Sequence, residues 1–558
     1  MVAGEARSRP GRFAVPILFL GTEAALHAGY VLHHRVNTDE PQHLHVAWSV
    51  AQGLLPYRDV FDNHSPLFSM LLAPLVGSFG ERADIVLLAR LAMLPLTLLT
   101  LALTWALGRR LFSSWAALWA VAIAAAVPDF MLGSVEYRTD QLWTALWLAA
   151  LAVLLAGRLT GRRTFAFGLL AGAALATSMK TVLLLLALGV AVVFVLASAR
   201  RRGVPWDPRS LVVRATAALG GFIVVPSLLA AYFASRGAWG RTMYCIVRHN
   251  VAPHLGTLPP PALRLLILGA GLLTAWLVGT RILRGAADPA VGVRRAFLFV
   301  TACGYFVLLQ GTWPLLTRQD VLPFVPMAAI LAAPFLLDLP LRALSRPVRA
   351  LQPARLSMLV PAVGIALLLL WTQKVEHVER KNDTDRQVAF LREVLRLTRP
   401  GEAIMDLRGE TVFRPRPFYY ALEAVTSARL KHGLIRDDIP DRLIATRTAV
   451  AVADVPFLPA AGRAFLNENY IPLGRLRVAG QVLGNPDSAD VRRFEIRLPQ
   501  RYAVVGEKGA VSGWLDGLPY RGPRELDRGP HSYRGPASEG RVAVVWASAV
   551  ERVGSPFR

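Results

Sequence analysis

Two adjacent acids, Asp39 and Glu40, open a stretch in which ionisable side chains crowd together: His43, His45, the run Tyr57, Arg58 and Asp59, then Asn63 and His64. A carboxylate in such company can take a proton from a hydroxyl, and a neighbouring arginine can hold an anion. The stretch, NTDEPQHLHVAWSVAQGLLPYRDVFDNHSP from Asn37 to Pro66, directly follows the first apolar segment of the chain. Charge in hydrocarbon costs about 3 kcal/mol or more per residue, so a cluster beside a bilayer must pair, stay wet or do work. Asp39 with Pro41 close behind is also a helix-start signal. Capping alone does not require Glu40, Arg58, Asp59 and His64 nearby, and we read the stretch as an active site.

The elements that must position it are membrane helices. Over 558 residues the chain is 54% hydrophobic and only 18% charged, with a mean hydropathy of +0.41, outside the range of an ordinary soluble enzyme. The net charge of +24 invites a nucleic-acid reading, but the arginines punctuate apolar runs instead of forming one basic face. Cys245 and Cys303 stand far apart, the second inside an apolar run, which supports neither a disulfide framework nor a thiolate metal site.

Apolar runs at 13–32, 85–107, 115–127, 142–156, 165–178, 181–197, 211–234, 262–279, 296–310, 321–337 and 356–371 predict about eleven spans. The first carries Glu23 and His27 one helical turn apart, and a mutual hydrogen bond is expected between them. The runs 42–52 and 65–79 are too short to cross, since a crossing takes about 20 residues, and read as interfacial helices. Arg7, Arg9 and Arg12 at the N-terminus, and Arg109, Arg158, Arg200, Arg281 and Arg342 with their neighbours in alternate short loops, place the N-terminus in the cytoplasm. The Asp39 loop, the loops 129–140, 236–261 and 313–320, and everything after 373 then face outward.

From 375 the hydropathy falls. Strands are expected at 403–407 and 449–453 and helices at 418–424 and 460–467, an α/β domain over 375–500. Residues 501–558, rich in glycine and proline turns and ending in a strand at 541–547, read as a small β unit. Trp514, Tyr520 and Tyr533 there are expected to be core aromatics.

The chain resembles the GT-C glycosyltransferases, specifically the bacterial relatives of protein O-mannosyltransferases and of the aminoarabinose transferase that modifies lipid A. The resemblance rests on Asp39-Glu40 after the first span, PYRDVFDNHSPLF from Pro56 to Phe68, and EYRTD from Glu136 to Asp140. It extends to GLLAGAALATSMKT ending in Lys180 and Thr181, and to RQDVLPFVP from Arg318 to Pro326. It implies that residues 1–374 form a many-span catalytic domain that moves a sugar from a polyprenyl-phosphate carrier to an acceptor hydroxyl outside the cytoplasm, with inversion. The implied partners are the lipid-linked donor, the bilayer and an acceptor whose identity stays open; nucleic acid is not among them. The implied location is the bacterial plasma membrane.

Such a transfer needs one base, because the phosphate leaves as an anion without help from an acid, whereas a glycosidase needs two carboxylates. Asp39 is expected to be the base, with Glu40 as the second choice or a positioning partner. Asp140 would orient the acceptor, pair with Arg138, or hold a divalent ion together with Asp39. Arg58, Arg138, Lys180 and Arg318 are the cations expected to meet the phosphate. Lys180 divides two apolar runs that would otherwise continue as one helix; a lysine snorkelling to the interface is the alternative. Tyr57, Asp59, Asn63 and His64 should line the site, and Arg248 and His249 are weaker candidates of the same kind. His43 and His45, two apart, point to different sides of a helix and cannot make the i, i+4 pair of a helical zinc site. No metal or cofactor is expected to be obligatory, and a divalent cation is the open option.

A transporter or flippase of lipid-linked sugars also has many spans and buried charge, but shows internal repeats and broken helices paired between halves, and no such repeat is visible. A non-catalytic envelope-binding protein leaves PYRD and DNHSP without a task. Convergence of Asp39, Asp140, Lys180 and Arg318 on one outward cavity separates the enzyme from both.

Overall fold

The computed structural model describes residues 13–201, 207–251, 259–282, 288–343, 353–376, 382–453, 458–485, 491–509, 511–536 and 540–557. Arg7, Arg9 and Arg12, on which the orientation partly rests, lie outside the described residues. Helix α1 (Ala14–His33) leads into two short helices, α2 (Asp39–Ala51) and α3 (Leu67–Phe79). The near-continuous pair α4 (Ile85–Leu91) and α5 (Leu94–Leu111) follows, then α6 (Ser114–Ala126), α7 (Pro128–Gly133), α8 (Thr139–Leu155), α9 (Gly161–Thr177) and α10 (Thr181–Arg201). The membrane part closes with α11 (Pro208–Ser235), α12 (Trp239–Met243), α13 (Pro261–Ile282), α14 (Pro289–Thr312), α15 (Phe324–Ala343) and α16 (Pro353–Glu376).

All of the expected spans are helical. Among the described residues seven are long and apolar enough to cross a membrane: α1, α4 with α5, α10, α11, α13, α14 and α16; α6, α8 and α15 are shorter apolar helices. The chain is a polytopic helical membrane protein. Its exposed leucines, valines and tryptophans, such as Leu186, Val190 and Val193 on α10 and Leu265, Leu266 and Trp276 on α13, would be a liability in water and are the lipid face here. Helix starts carry the expected oxygens: Ser113 accepts from the Ala116 amide, Thr160 from Arg163, and Asp207 and Asp288 stand before Pro208 and Pro289. Helix α9 lies against α11 so closely that a Cβ on Gly168 or Gly172 would sit 1.9 or 2.1 Å from the Ala218 or Phe222 carbonyl oxygen. Small residues four apart are what permits such an approach in lipid, and the turn that carries Lys180 begins at the end of α9.

After α17 (Asp383–Leu397) the C-terminal region, expected to face outward and hence the outer region, builds strands β1 (Ile404–Met405), β2 (Val450–Val452), β3 (Tyr470–Leu473), β4 (Leu476–Val482), β5 (Val491–Ile496) and β6 (Gln500–Gly506). It ends with β7 (Trp514–Leu515), β8 (Leu518–Pro519), β9 (Arg524–Leu526), β10 (Gly529–Arg534) and β11 (Val542–Trp546). One sheet runs β1-β2-β4-β11-β6-β9 with β3 also on β4, and a second runs β5-β10-β7-β8. The boundary expected at 500 therefore does not exist: β11 inserts between β4 and β6, so residues on both sides of it share one sheet. Tyr533 is buried as expected, whereas Trp514 is exposed.

The segment 418–424 is not a helix. Arg416, between Pro415 and Pro417, takes the carbonyls of Leu407 and Tyr420, and Glu423 caps the helix Ala424–Lys431 through the Val425 and Thr426 amides, so helix formation starts only at 424. The outer region is seated on the membrane part through a shared core: Leu44, Phe68, Val76 and Ile85 pack in the same cluster as Leu391, Met405, Phe413 and Val478.

Candidate active site

The loop before α2 is held by Glu40, not by Asp39. The Asn37 side chain accepts from the Asp39 amide at 3.1 Å and Glu40 accepts from the Asn37 amide at 2.9 Å, a reciprocal arrangement of the capping-box kind. The Glu40 carboxylate also takes the Tyr137 amide and two nitrogens of Arg90, at 2.8 and 2.7 Å, with both side chains wholly buried. Arg90 in turn reaches the His34 carbonyl and Thr384, tying α1, α2 and α17 together. Burial works to raise the Glu40 carboxyl, but Arg90 and the Asn37 and Tyr137 amides outweigh it and hold it down. Every lone pair of Glu40 is engaged away from any cavity, so the catalytic role offered it as second choice is corrected to a structural one.

Asp39 is free of capping duty and one quarter exposed. Its Oδ2 lies 2.5 Å from Arg138 Nη1, while Oδ1 lies 3.3 Å from Arg408 Nη1 of the outer region. Arg138 is the hub. Its Nε also meets Asp140 at 3.1 Å and Glu136 at 3.8 Å, and its Nη1 meets Asn37 Oδ1 at 2.9 Å. Burial pushes the Asp39 carboxyl upward, but Arg138 foremost, then His64, His43 and Arg408, outweigh burial and hold the group below the usual carboxylate range. The Arg138 guanidinium bonds both Asp39 and Asp140, so of the roles expected for Asp140 the geometry shows the pairing with Arg138.

Lys180 does not snorkel. Its ammonium pairs with Asp320, and Asp320 is fixed by the Thr317 amide at 2.8 Å within a capping box that starts the turn Arg318–Val321. Two cavities meet at Arg138. The first, of about 500 Å³, is lined by Asp39, Asn37, Glu136, Arg318, Arg408 and Glu423 among others. The second, of about 780 Å³, is lined by Asp140, Lys180 and Arg138 together with the apolar Leu183, Val251, Trp313 and Val425. Asn63, His64, Arg138 and Leu315 border both. Asp39, Asp140, Arg138, Lys180 and Arg318 thus converge on one composite cleft.

Other expected residues stand elsewhere. Arg58 is half exposed and, among the described residues, paired with Asp59, whose Oδ2 also accepts the Leu55 amide at 2.9 Å to close a turn; neither is among the residues that line the cleft. Tyr57 is buried with φ +69 and donates its hydroxyl to the His64 carbonyl at 2.8 Å, so it shapes the loop from behind. His249 is buried against Tyr420 and meets Thr426 at 3.1 Å, and Arg248 offers its carbonyl to Arg429 at 3.1 Å. Both fasten the fourth outer loop to the outer region. The next residue, Asn250, is the one that reaches the cleft, through the Asn63 carbonyl at 2.8 Å.

His43 and His45 do diverge: His45 Nδ1 meets the Val412 carbonyl at 2.8 Å, while the His43 ring lies 4.4 Å from that of His64. Burial pushes the His43 imidazole down to about 3, so it is neutral. Ligand atoms of His43, Asp62 and His64 all lie within 4.8 Å of one another, the one such group among the described residues. Glu23 and His27 do not bond each other; both line a separate apolar pocket of about 440 Å³ beside α1, with the Glu23 oxygens and His27 Nε2 buried and unpartnered.

Sequence reasoning missed Arg90, Glu136, Asp320 and Arg408. Arg90 had a visible signal, an arginine within an apolar run; Glu136 and Asp320 stood inside the quoted motifs beside residues that were chosen. Arg408 had none.

Residues 63–229 match the family model described as dolichyl-phosphate-mannose-protein mannosyltransferase. ArnT from Cupriavidus metallidurans bound to undecaprenyl phosphate superposes with a TM-score of 0.56 at 14% identity, over 83% of this chain and 97% of that one. The apo state of the same protein gives 0.57 at 14% identity, with the same coverage of 83% and 97%. Archaeoglobus fulgidus oligosaccharyltransferase in the apo form gives 0.47 at 12% identity, over 90% of this chain and 74% of that one. No curated protein matches the chain in sequence. The ArnT superposition establishes a shared fold.

Proposed function

We propose that this chain, a GT-C-fold relative of the O-mannosyltransferases and ArnT, is a membrane glycosyltransferase that moves a hexosyl or pentosyl group from a polyprenyl-phosphate donor to an acceptor hydroxyl on the outer face. The single observation that carries this reading is the composite cleft, in which a partly exposed carboxylate, Asp39, meets a buried arginine, Arg138, that also borders a second chamber with Lys180 in its wall. The second chamber suits the donor, because its lining combines cations with the apolar Leu183, Val251, Trp313 and Val425, as an anionic head on a hydrocarbon chain requires. The first chamber, polar and bounded by Arg408 and Glu423 of the outer region, suits the acceptor.

In the reaction the acceptor oxygen attacks the anomeric carbon as the bond from that carbon to the phosphate oxygen breaks, and the acceptor proton passes to Asp39. One in-line displacement inverts the anomeric centre. In the resting cleft Asp39 is tied to two guanidiniums; an arriving phosphate competes for Arg138 and so loosens the carboxylate at the moment a base is required. Negative charge developing on the phosphate is stabilised by Arg138 and Lys180 in a site of low dielectric.

The test is sugar transfer by purified protein from a panel of polyprenyl-phosphate sugars, with acceptor found by mass spectrometry of envelope glycans and lipids with and without the gene. Lys180→Met should raise the KM for donor at least tenfold and, because it strands the buried Asp320 carboxylate, lower the melting temperature; adding Asp320→Asn should recover part of the stability while the KM stays raised. A donor KM unchanged in that variant removes Lys180 from the donor site, and no transfer by wild type from any such donor defeats the reading. A lipid-sugar flippase would instead move labelled donor across vesicles in which no transfer occurs.

The loop arginines assign the N-terminus to the cytoplasm of a bacterial plasma membrane and the region after 376 to the outer face. A phosphatase fused at Arg558 should be active; an active cytoplasmic reporter at the same point reverses the orientation.

A further inference from the structure

We propose that His43, Asp62 and His64 form a divalent-cation site of the zinc or manganese class in the wall of the cleft, with an open coordination position toward the cavity. His43 is wholly buried, yet both of its ring nitrogens are without a hydrogen-bond partner. A buried polar group left unpaired costs about 1–3 kcal/mol, and here two sit on one ring whose face meets only Phe68 and His64. Something other than protein is the partner they lack.

Asp62 points the same way. Other buried carboxylates around the cleft are each matched to a fixed cation: Glu40 to Arg90, Asp140 to Arg138, Asp320 to Lys180, Asp406 to Arg416. Asp62 is 1% exposed and its ion pair is with His64, at 2.9 Å, with no arginine or lysine on it among the described residues. Two imidazoles and a carboxylate with no guanidinium between them is the donor set of a catalytic-type zinc site, three protein ligands and one open position, and it also suits manganese. Ligand atoms within 4.8 Å need to close to about 3.4 Å for bonds near 2.1 Å, a rotation of the His64 side chain, which is the exposed member of the three.

The surroundings are built to hold these ligands. Tyr57 donates to the His64 carbonyl, the Asp62 carboxylate accepts the His64 amide at 3.0 Å, and Gln42 and Asn250 brace the intervening Asn63 at 3.1 and 2.8 Å. His64 borders both chambers, so a cation enters from the cleft and its open position accepts water or an anionic oxygen from there. That last step rests on the transferase reading; cation binding itself does not.

The experiment uses full-length protein in detergent, stripped with EDTA, dialysed against 10 µM Zn²⁺ or Mn²⁺ on the order of the affinity expected for three ligands, and measured by inductively coupled plasma mass spectrometry. Wild type should retain about one ion per chain, and H43Q, D62N and H64Q should each lose at least nine tenths of it, while H432Q, a surface histidine change in the outer region, should keep it. Elution volume and melting temperature of each variant establish that it is folded, and zinc should raise the melting temperature of wild type and of H432Q alone. Cobalt added to stripped wild type should give visible d–d bands that are lost in the same three variants. Wild type that retains no ion, or retention unchanged across folded H43Q, D62N and H64Q, overturns the site, and either result is read without any transfer assay.

Discussion

Asp39→Asn should fold, be made in usable amounts, melt modestly below wild type and turn over about 100-fold to 10,000-fold more slowly. The side chain keeps its size, the start of α2 rests on Asn37 and Glu40, and Arg138 keeps Asp140 and Glu136 as partners, so the fold survives the weakened links to Arg138 and Arg408. What disappears is the proton acceptor at the edge of the cleft. Because Arg138 foremost, with His64, His43 and Arg408 behind it, holds the Asp39 carboxyl below its ordinary range against the push of burial, the group is charged throughout the neutral and mildly acidic range. The acidic limb of wild-type turnover, which sets in as pH falls through the carboxyl's value in the folded protein, should therefore lie below the ordinary aspartate value of about 3.9. Turnover against pH and the melting temperature of both proteins are the measurements. Normal turnover by Asp39→Asn would show that the base lies elsewhere.

Glu40→Gln should do the reverse. Arg90 has no exposure and Glu40 is the acid it pairs with among the described residues, so removing one charge leaves the other buried without its partner, a loss of about 3–5 kcal/mol. We expect a sharp drop in yield and melting temperature, with the molecules that do fold still turning over. Replacing both partners, Glu40→Gln with Arg90→Met, should recover part of the stability, since the stranded charge is gone as well. A stable Glu40→Gln that has lost turnover would instead place Glu40 in the chemistry. The two neighbouring acids thus separate cleanly, one by rate and one by stability.

Much of this was legible in the chain because hydrocarbon imposes a simple rule on sequence. Apolar runs of span length became helices, and the acids and cations of the EYRTD, SMKT and RQDV segments met where loops on one face had to meet. Pairing partners were harder. Nothing local to Lys180 names Asp320, 140 residues on, and nothing near Asp39 names Arg408, 369 residues on; such pairs are chosen by how helices pack, which periodicity does not encode. Arg58 misled for the converse reason. Its carboxylate partner is its own neighbour, Asp59, and a charge satisfied locally has no need to face the cleft. In the outer region, strand patterns located β1, β2 and β11, but the division at 500 failed because a late strand can insert between earlier ones without leaving a mark in composition.

The reach of Arg408 into the Asp39 loop has a consequence for biogenesis. Synthesis delivers Asp39 directly after the first membrane helix and Arg408 only after the last, so the acidic loop waits through the whole of insertion without one wall of its chamber. Phe68 and Leu44 wait with it, since the cluster that buries them is completed by Leu391, Met405 and Phe413. A chain cut after α16 would leave that apolar patch uncovered at the outer surface, a sticky edge of the kind that draws chaperones and proteases. Grafting a different outer region onto these helices would meet the same obstacle, because the junction is a hydrophobic core and a salt link at once, and the replacement must supply both.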